Sequence, residues 1–214
     1  MFNDLSESLK RAVFVFLAVM LFVIALVQMG RELRVFTTGF LYQDQPIPLS
    51  MNGQLTVLHT CEKVMSSPYS KMQPTVQIVQ ISESCKSYAS RILEKTPAFS
   101  FAHLIAAQAY FNLEDYEKSL ASVALSEKFA PGPLWLVERR IDILIKITAT
   151  HTEFIEDAFS RDITRLLQSD RGAEFLSDRL YLHPTAKPIV FGMIEYQNPK
   201  LQHRFLSALR RVAS

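Results

Sequence analysis

The sequence predicts an all-α protein in two parts: one membrane-crossing helix near the N-terminus and a helical domain after it. Three observations carry this. The run Ala12 to Gly30 has no charged residue, apolar residues recur at three- and four-residue spacing from about Gly53 onward, and no segment shows convincing strand alternation. Residues 1–11 are then an N-terminal tail, 12–30 the transmembrane helix, 31–52 a linker, 53–147 a set of helical hairpins and 148–214 a C-terminal helical extension.

At 1.5 Å per residue the apolar run spans roughly 28 Å, close to the bilayer hydrocarbon thickness. Twelve of its residues are Leu, Ile, Phe or Val, which together favour insertion by about 5 kcal/mol. It lacks the polar stripe of a soluble core helix. Val27-Gln28-Met29-Gly30 has no small-x-small pattern, so the expectation is an uncleaved anchor and not a signal peptide. Lys10 and Arg11 before the run face Arg31 and Arg34 after it, so the charge rule is nearly balanced. The N-terminal amine tips it toward a domain on the far side, in the periplasm if the membrane is a bacterial inner membrane.

Excluding the anchor's flanks, 19 basic residues stand against 18 acidic ones, which gives no electrostatic footprint for nucleic acid. The two cysteines, Cys61 and Cys85, either form one disulfide in an oxidising compartment or pack as two small apolar side chains.

From Val35 to Leu49 the chain has no helical period and carries Pro46 and Pro48, as an extended stalk or surface-hugging linker would. Its Phe36, Phe40, Leu41 and Tyr42 suit a membrane interface or the cover of the first domain helix. Helices are expected near Gln54–Met65, from Pro74 to Thr96, over Phe99–Asn112 and Asp115–Phe129 with a turn at Leu113-Glu114, and over Leu134–Ile147. Further ones are expected near Thr152–Gln168, Gly172–Tyr181, Lys187–Tyr196 and Lys200–Val212. Asn198 before Pro199 is an N-cap followed by the favoured first-turn proline.

Pro97 and Pro131 lie 34 positions apart, each closing a helix that follows a shorter apolar one. Between them Ala106, Ala107 and Ala109 permit close helix approach, while Tyr110, Tyr116, Leu120 and Val123 fill the remaining gap. The segment Phe99 to Pro131, with Ala107 and Tyr110 in its first helix, Asp115-Tyr116 at the turn, Ser119 and Val123 in its second and Pro131 at its end, resembles a tetratricopeptide repeat (TPR). A partial match one period earlier falls on Cys85, Ala89, Ile92 and Pro97. The likeness covers about Cys61 to Ile147 and implies a short α-α superhelix. It also implies that Phe101, Leu104, Gln108, Phe111 and Asn112 face a concave groove for a protein or peptide partner, unless the chain's own C-terminal helices cover them.

There is no Gly-rich phosphate cradle, GxSxG, HExxH or Cys-x-x-Cys, and the histidines His59, His103, His151, His183 and His203 are dispersed. No catalytic residue, metal site or cofactor is therefore expected. His103 reads as a packed or groove-lining side chain. The carboxylate pairs Glu138 with Asp142 and Glu153 with Asp157 share helix faces, with Arg139, Arg140 and Arg161 at hand to neutralise them. The last helix joins an apolar stripe of Leu201, Phe205, Leu209 and Val212 to Lys200, Arg204, Arg210 and Arg211; it suits either a seal on the array's end or an anionic membrane surface. The functional expectation is a membrane-anchored scaffold or adaptor in a bacterial envelope assembly, with a partner that is itself an integral membrane protein as one option. The alternative is an accessory subunit of a membrane enzyme or exporter, such as one for envelope polysaccharide.

Overall fold

A computed structural model of the chain describes residues 2–34, 47–66, 75–150 and 157–213. They form ten α-helices and no strand: α1 (Phe2–Arg34), α2 (Met51–Ser66), α3 (Thr75–Lys95), α4 (Ser100–Asn112), α5 (Tyr116–Phe129), α6 (Leu134–Thr150), α7 (Asp157–Leu167), α8 (Asp170–Leu182), α9 (Lys187–Glu195) and α10 (Pro199–Ala213), with a single 3-10 turn at Pro184–Ala186 before α9.

Helix α1 extends past the apolar run at both ends, so residues expected as tail and linker are helical too. Its stretch Arg11–Gly30 is long and apolar enough to cross a membrane. Fourteen large apolar side chains between Val13 and Met29 are exposed, Phe14 at 74% and Phe16 at 70%. The expected interfacial cluster Phe36, Phe40, Leu41 and Tyr42 lies outside the described residues, as do Pro68, Pro74, His151 and Glu153.

The domain begins where Ile47 enters the core and Gln54 Nε2 donates to the Pro48 carbonyl at 3.2 Å. Ser50 starts α2, its hydroxyl accepting from Gly53 N at 3.0 Å, which satisfies one of the donors a helix N-terminus leaves open. Helix α4 is the centre of the first half and packs against α2, α3, α5 and α6. Its residues from Ser100 to Ala109 are all buried, as a helix apolar on every side must be.

Helix α4 ends in a left-handed residue, Glu114 at φ 61°, with Glu114 N bonded to the Phe111 carbonyl and Asp115 N to the Tyr110 carbonyl, both at 3.0 Å. This pairing closes a helix C-terminus and reverses the chain. Asp115 then caps α5 by accepting from Lys118 N at 3.2 Å. Across the hairpin Ser119 Oγ donates to the Ala107 carbonyl at 2.8 Å, and Ser100 Oγ donates to the Ser126 carbonyl at 2.8 Å. Ala107, Ser119 and Val123 are fully buried, Tyr110 and Tyr116 half-buried, and Pro131 exposed in the connection to α6.

In the second half α6 packs against α7 and α8, and α10 lies on α8 and α7. Asn198 Oδ1 accepts from Lys200 N at 2.9 Å, the N-cap the sequence predicts. Helix α8 starts two residues before the expected Gly172, because Ser169 caps it by accepting from Gly172 N at 3.0 Å. That cap brings Gly172 against the main chain of Leu166. A Cβ there would overlap the Leu166 carbonyl oxygen and lie 2.9 Å from its Cα. Gly172→Ala is thus expected to destabilise the domain by about 1–3 kcal/mol, the usual cost of overpacking, measured as a lowered denaturant midpoint.

Candidate functional site

The five residues expected to face a groove form one stripe on α4. Phe101 and Leu104 are 2% exposed and Gln108 is 8% exposed, while Phe111 and Asn112 are half-buried. Gln108 Nε2 donates to Asn112 Oδ1 at 3.0 Å, and Asn112 Nδ2 donates to Ser82 Oγ of α3 at 3.2 Å. Phe111 meets Tyr116 edge-on at 5.9 Å. The helices packed against α4 are α2, α3, α5 and α6.

At its N-terminal end the stripe reaches the surface indirectly. The Phe101 ring lies 4.7 Å from His59 of α2 and 5.2 Å, edge-on, from Trp135 of α6. The His59 side chain is 57% exposed and Trp135 45%. The three rings make a row across α2, α4 and α6 whose floor is buried and whose two walls face solvent. Beside it Arg139 Nε of α6 pairs with Glu62 Oε1 of α2 at 2.5 Å, a second tie between the same two helices. Sequence reasoning missed His59 and Trp135. The only available signal was that the chain's single tryptophan follows a Pro-Gly-Pro break; its nearness to Phe101 is a tertiary fact.

The arginines expected to neutralise Glu138 and Asp142 do something else. Arg171 of α8 pairs with Glu138 at 3.3 Å, while Lys146 at 2.5 Å and Arg179 at 3.2 Å pair with Asp142. Arg139 turns to Glu62 of α2 instead, and position 140 is rotated about 200° from both 138 and 142, so it points away from them. Arg140 is fully buried and grips Asp162 of α7, Nε to Oδ2 at 2.6 Å and Nη2 to Oδ1 at 3.0 Å, while its Nη1 donates to the Ala130 carbonyl at 3.2 Å. Arg165 bridges Asp162 at 2.9 Å and Glu127 of α5 at 2.8 Å, and Arg161 pairs with Glu127 at 3.1 Å. Five charges thus lock α5, α6 and α7 together. The pair Glu153 and Asp157 lies outside the described side chains.

The Arg161 guanidinium holds the Glu127 carboxyl below the ordinary glutamate value of 4.5; burial opposes this, and Arg165 adds to it. A carboxyl whose value is lower folded than unfolded contributes stability above the unfolded value and loses it as pH falls through the folded one. Acidifying from about pH 7 to about pH 3 is expected to lower stability, and Glu127→Gln to lose less over the same interval. Chemical denaturation of both proteins at the two pH values measures the difference.

His103 packs in the hairpin, Nε2 donating to the Pro97 carbonyl at 2.8 Å and the ring stacked 5.4 Å from Phe129. Among the described residues no three His, Cys, Asp or Glu side chains gather as metal ligands would. Cys61 of α2 and Cys85 of α3 are fully buried and joined, sulfur to sulfur, at 2.15 Å.

The fold defines an all-helical protein with one N-terminal helix able, by length and composition, to cross a membrane. No protein-family model matches the chain, and no curated protein or solved structure matches it at a significant level.

Proposed function

We propose that this chain is a single-pass membrane protein whose helical domain is a TPR-like interaction scaffold, working outside the cytoplasm in a bacterial envelope assembly. The observation that carries the reading is the row His59–Phe101–Trp135, which runs over the first helices of three successive hairpins. Exposed aromatic anchors beside a buried floor are where binding energy concentrates, and tryptophan is the side chain most enriched there. The packing of α4 on both α2 and α6 supports a superhelical reading, since stacked hairpins bring their first helices side by side.

Two further facts support placement. A helix with exposed apolar side chains on all faces is stable in lipid and costly in water. A buried Cys61–Cys85 bridge favours an oxidising compartment over the cytosol. The partner is then held near the bilayer, where tethering raises effective concentration without new contacts.

The test is co-purification from detergent extracts of wild type and a His59→Ala, Trp135→Ala double variant. Loss of a hot-spot aromatic weakens binding by about 2 kcal/mol or more, roughly thirtyfold, so the partner is expected to be lost. An unchanged partner set would refute the row as the site. A single stoichiometric polytopic enzyme retained by both proteins would point instead to an accessory subunit.

A further inference from the structure

The far end of the domain carries a second surface that the scaffold reading leaves unused. Helices α9 and α10 enclose an open cleft of about 460 Å³ lined chiefly by Phe191, Ile194, Phe205 and Leu206. Phe191 and Phe205 meet edge-on at 5.6 Å, Phe205 sealing the floor at 1% exposure while Phe191 is 40% and Leu206 48% exposed. Tyr196, at the end of α9, is 89% exposed. Gln202 Nε2 lies within 3.2 Å of the carbonyls of Ile194, Glu195 and Gln197, so the last turn of α9 is tied down and the cleft wall is fixed.

Next to this apolar strip the outer face of α10 is basic. On a helix of 3.6 residues per turn, Leu206, Arg210, His203, Lys200 and Arg211 fall within one arc of about 140°, and all five are exposed. The nearby acids are few. Glu174 pairs with Arg211 at 2.9 Å and Asp170 with Arg204 at 2.8 Å, both from α8, while Glu195 is exposed at the cleft. Lys187, Lys200 and Arg210 thus stand against Glu195 and, one turn beyond Glu174 on α8, the exposed Asp178, so cations remain in excess. Apolar side chains flanked by cations are the pattern of a surface that sits at the headgroup boundary of an anionic bilayer.

Such a bilayer is within reach. The 12 residues between α1 and Ile47 span at most about 40 Å, and a domain of this size has a radius of gyration of about 15 Å. We propose that the α9–α10 end docks on the anionic phospholipid surface of the membrane that α1 crosses, Phe191 and Leu206 entering the acyl boundary and Lys200 and Arg210 meeting the phosphates. This rests on α1 spanning the bilayer, and it leaves the His59–Trp135 row facing a partner from a fixed orientation.

The experiment uses the full chain in nanodiscs, with a fluorophore on His203→Cys and a quencher on the shallow acyl positions of the lipid. Discs are either wholly zwitterionic or rich in phosphatidylglycerol, which gives an anionic surface. Strong quenching is expected in the anionic discs only, falling at least fivefold with Lys200→Glu plus Arg210→Glu or at high salt; retained helical circular dichroism excludes misfolding of that variant. Equal quenching in both kinds of disc, or quenching only in discs holding two copies, would overturn the docking. Co-elution with discs but no quenching would also overturn it while sparing the anchor, whereas failure to co-elute would sink both.

Discussion

Asp162→Ala is expected to destabilise the domain by about 3–5 kcal/mol, the cost of leaving a buried guanidinium without its partner. Arg140 is 0% exposed and its Nε and Nη2 both donate to Asp162, so truncation leaves two buried donors without their carboxylate. Arg165, which also donates to Asp162, keeps only Glu127. The contrast that identifies the mechanism is the double variant Arg140→Met, Asp162→Leu. Filling the same volume with apolar groups removes the desolvation cost of both charges, so it is expected to recover much of the loss. Equilibrium urea unfolding of the three proteins measures this. A double variant as damaged as the single one would mean that the pair's geometry, and not its charge, matters.

Removing the bridge between α2 and α3 comes second. Cys61 and Cys85 are 24 residues apart, and a loop of that length constrains the unfolded chain by about 3 kcal/mol. Cys61→Ala with Cys85→Ala is expected to lower stability by that order, plus a smaller loss from the two vacated sites, both fully buried. Thiol labelling in denaturant without reductant is the companion measurement. Full labelling of both cysteines in protein taken from cells would show that no bridge forms, and would remove one support for placing the domain outside the cytosol.

Most of the helices were legible in the sequence because their punctuation is local. Asn198-Pro199 and the turn at Leu113-Glu114 act through residues adjacent in the chain, so pattern alone finds them. The starts at Ser50 and Ser169 are local too, but the spacing of apolar residues places these helices four and three residues further on, at Gln54 and Gly172. The central position of α4 was also readable, since FSFAHLIAAQA has no charge with which to face water.

What sequence could not give is which helix faces which. Phe101, Leu104 and Gln108 share one face of α4, where the Phe101 ring meets His59 of α2 and Trp135 of α6 and Gln108 bonds Asn112, which in turn bonds Ser82 of α3. In the sequence Arg140 reads as a cation at hand to neutralise Glu138 and Asp142. Its partner lies 22 residues away on α7, a distance over which no periodicity argument reaches.

The domain, displayed from a membrane, is proposed to hold its partner across the His59–Phe101–Trp135 row. The most direct measurement is site-specific photo-crosslinking in intact cells, with the crosslinker at Arg139, exposed one turn from Trp135 on α6, and, as control, at Ala121, which is exposed on α5. A discrete membrane-associated adduct is expected from position 139, abolished by His59→Ala together with Trp135→Ala, and none from position 121. Adducts of the same size from both positions, or from neither, would contradict it.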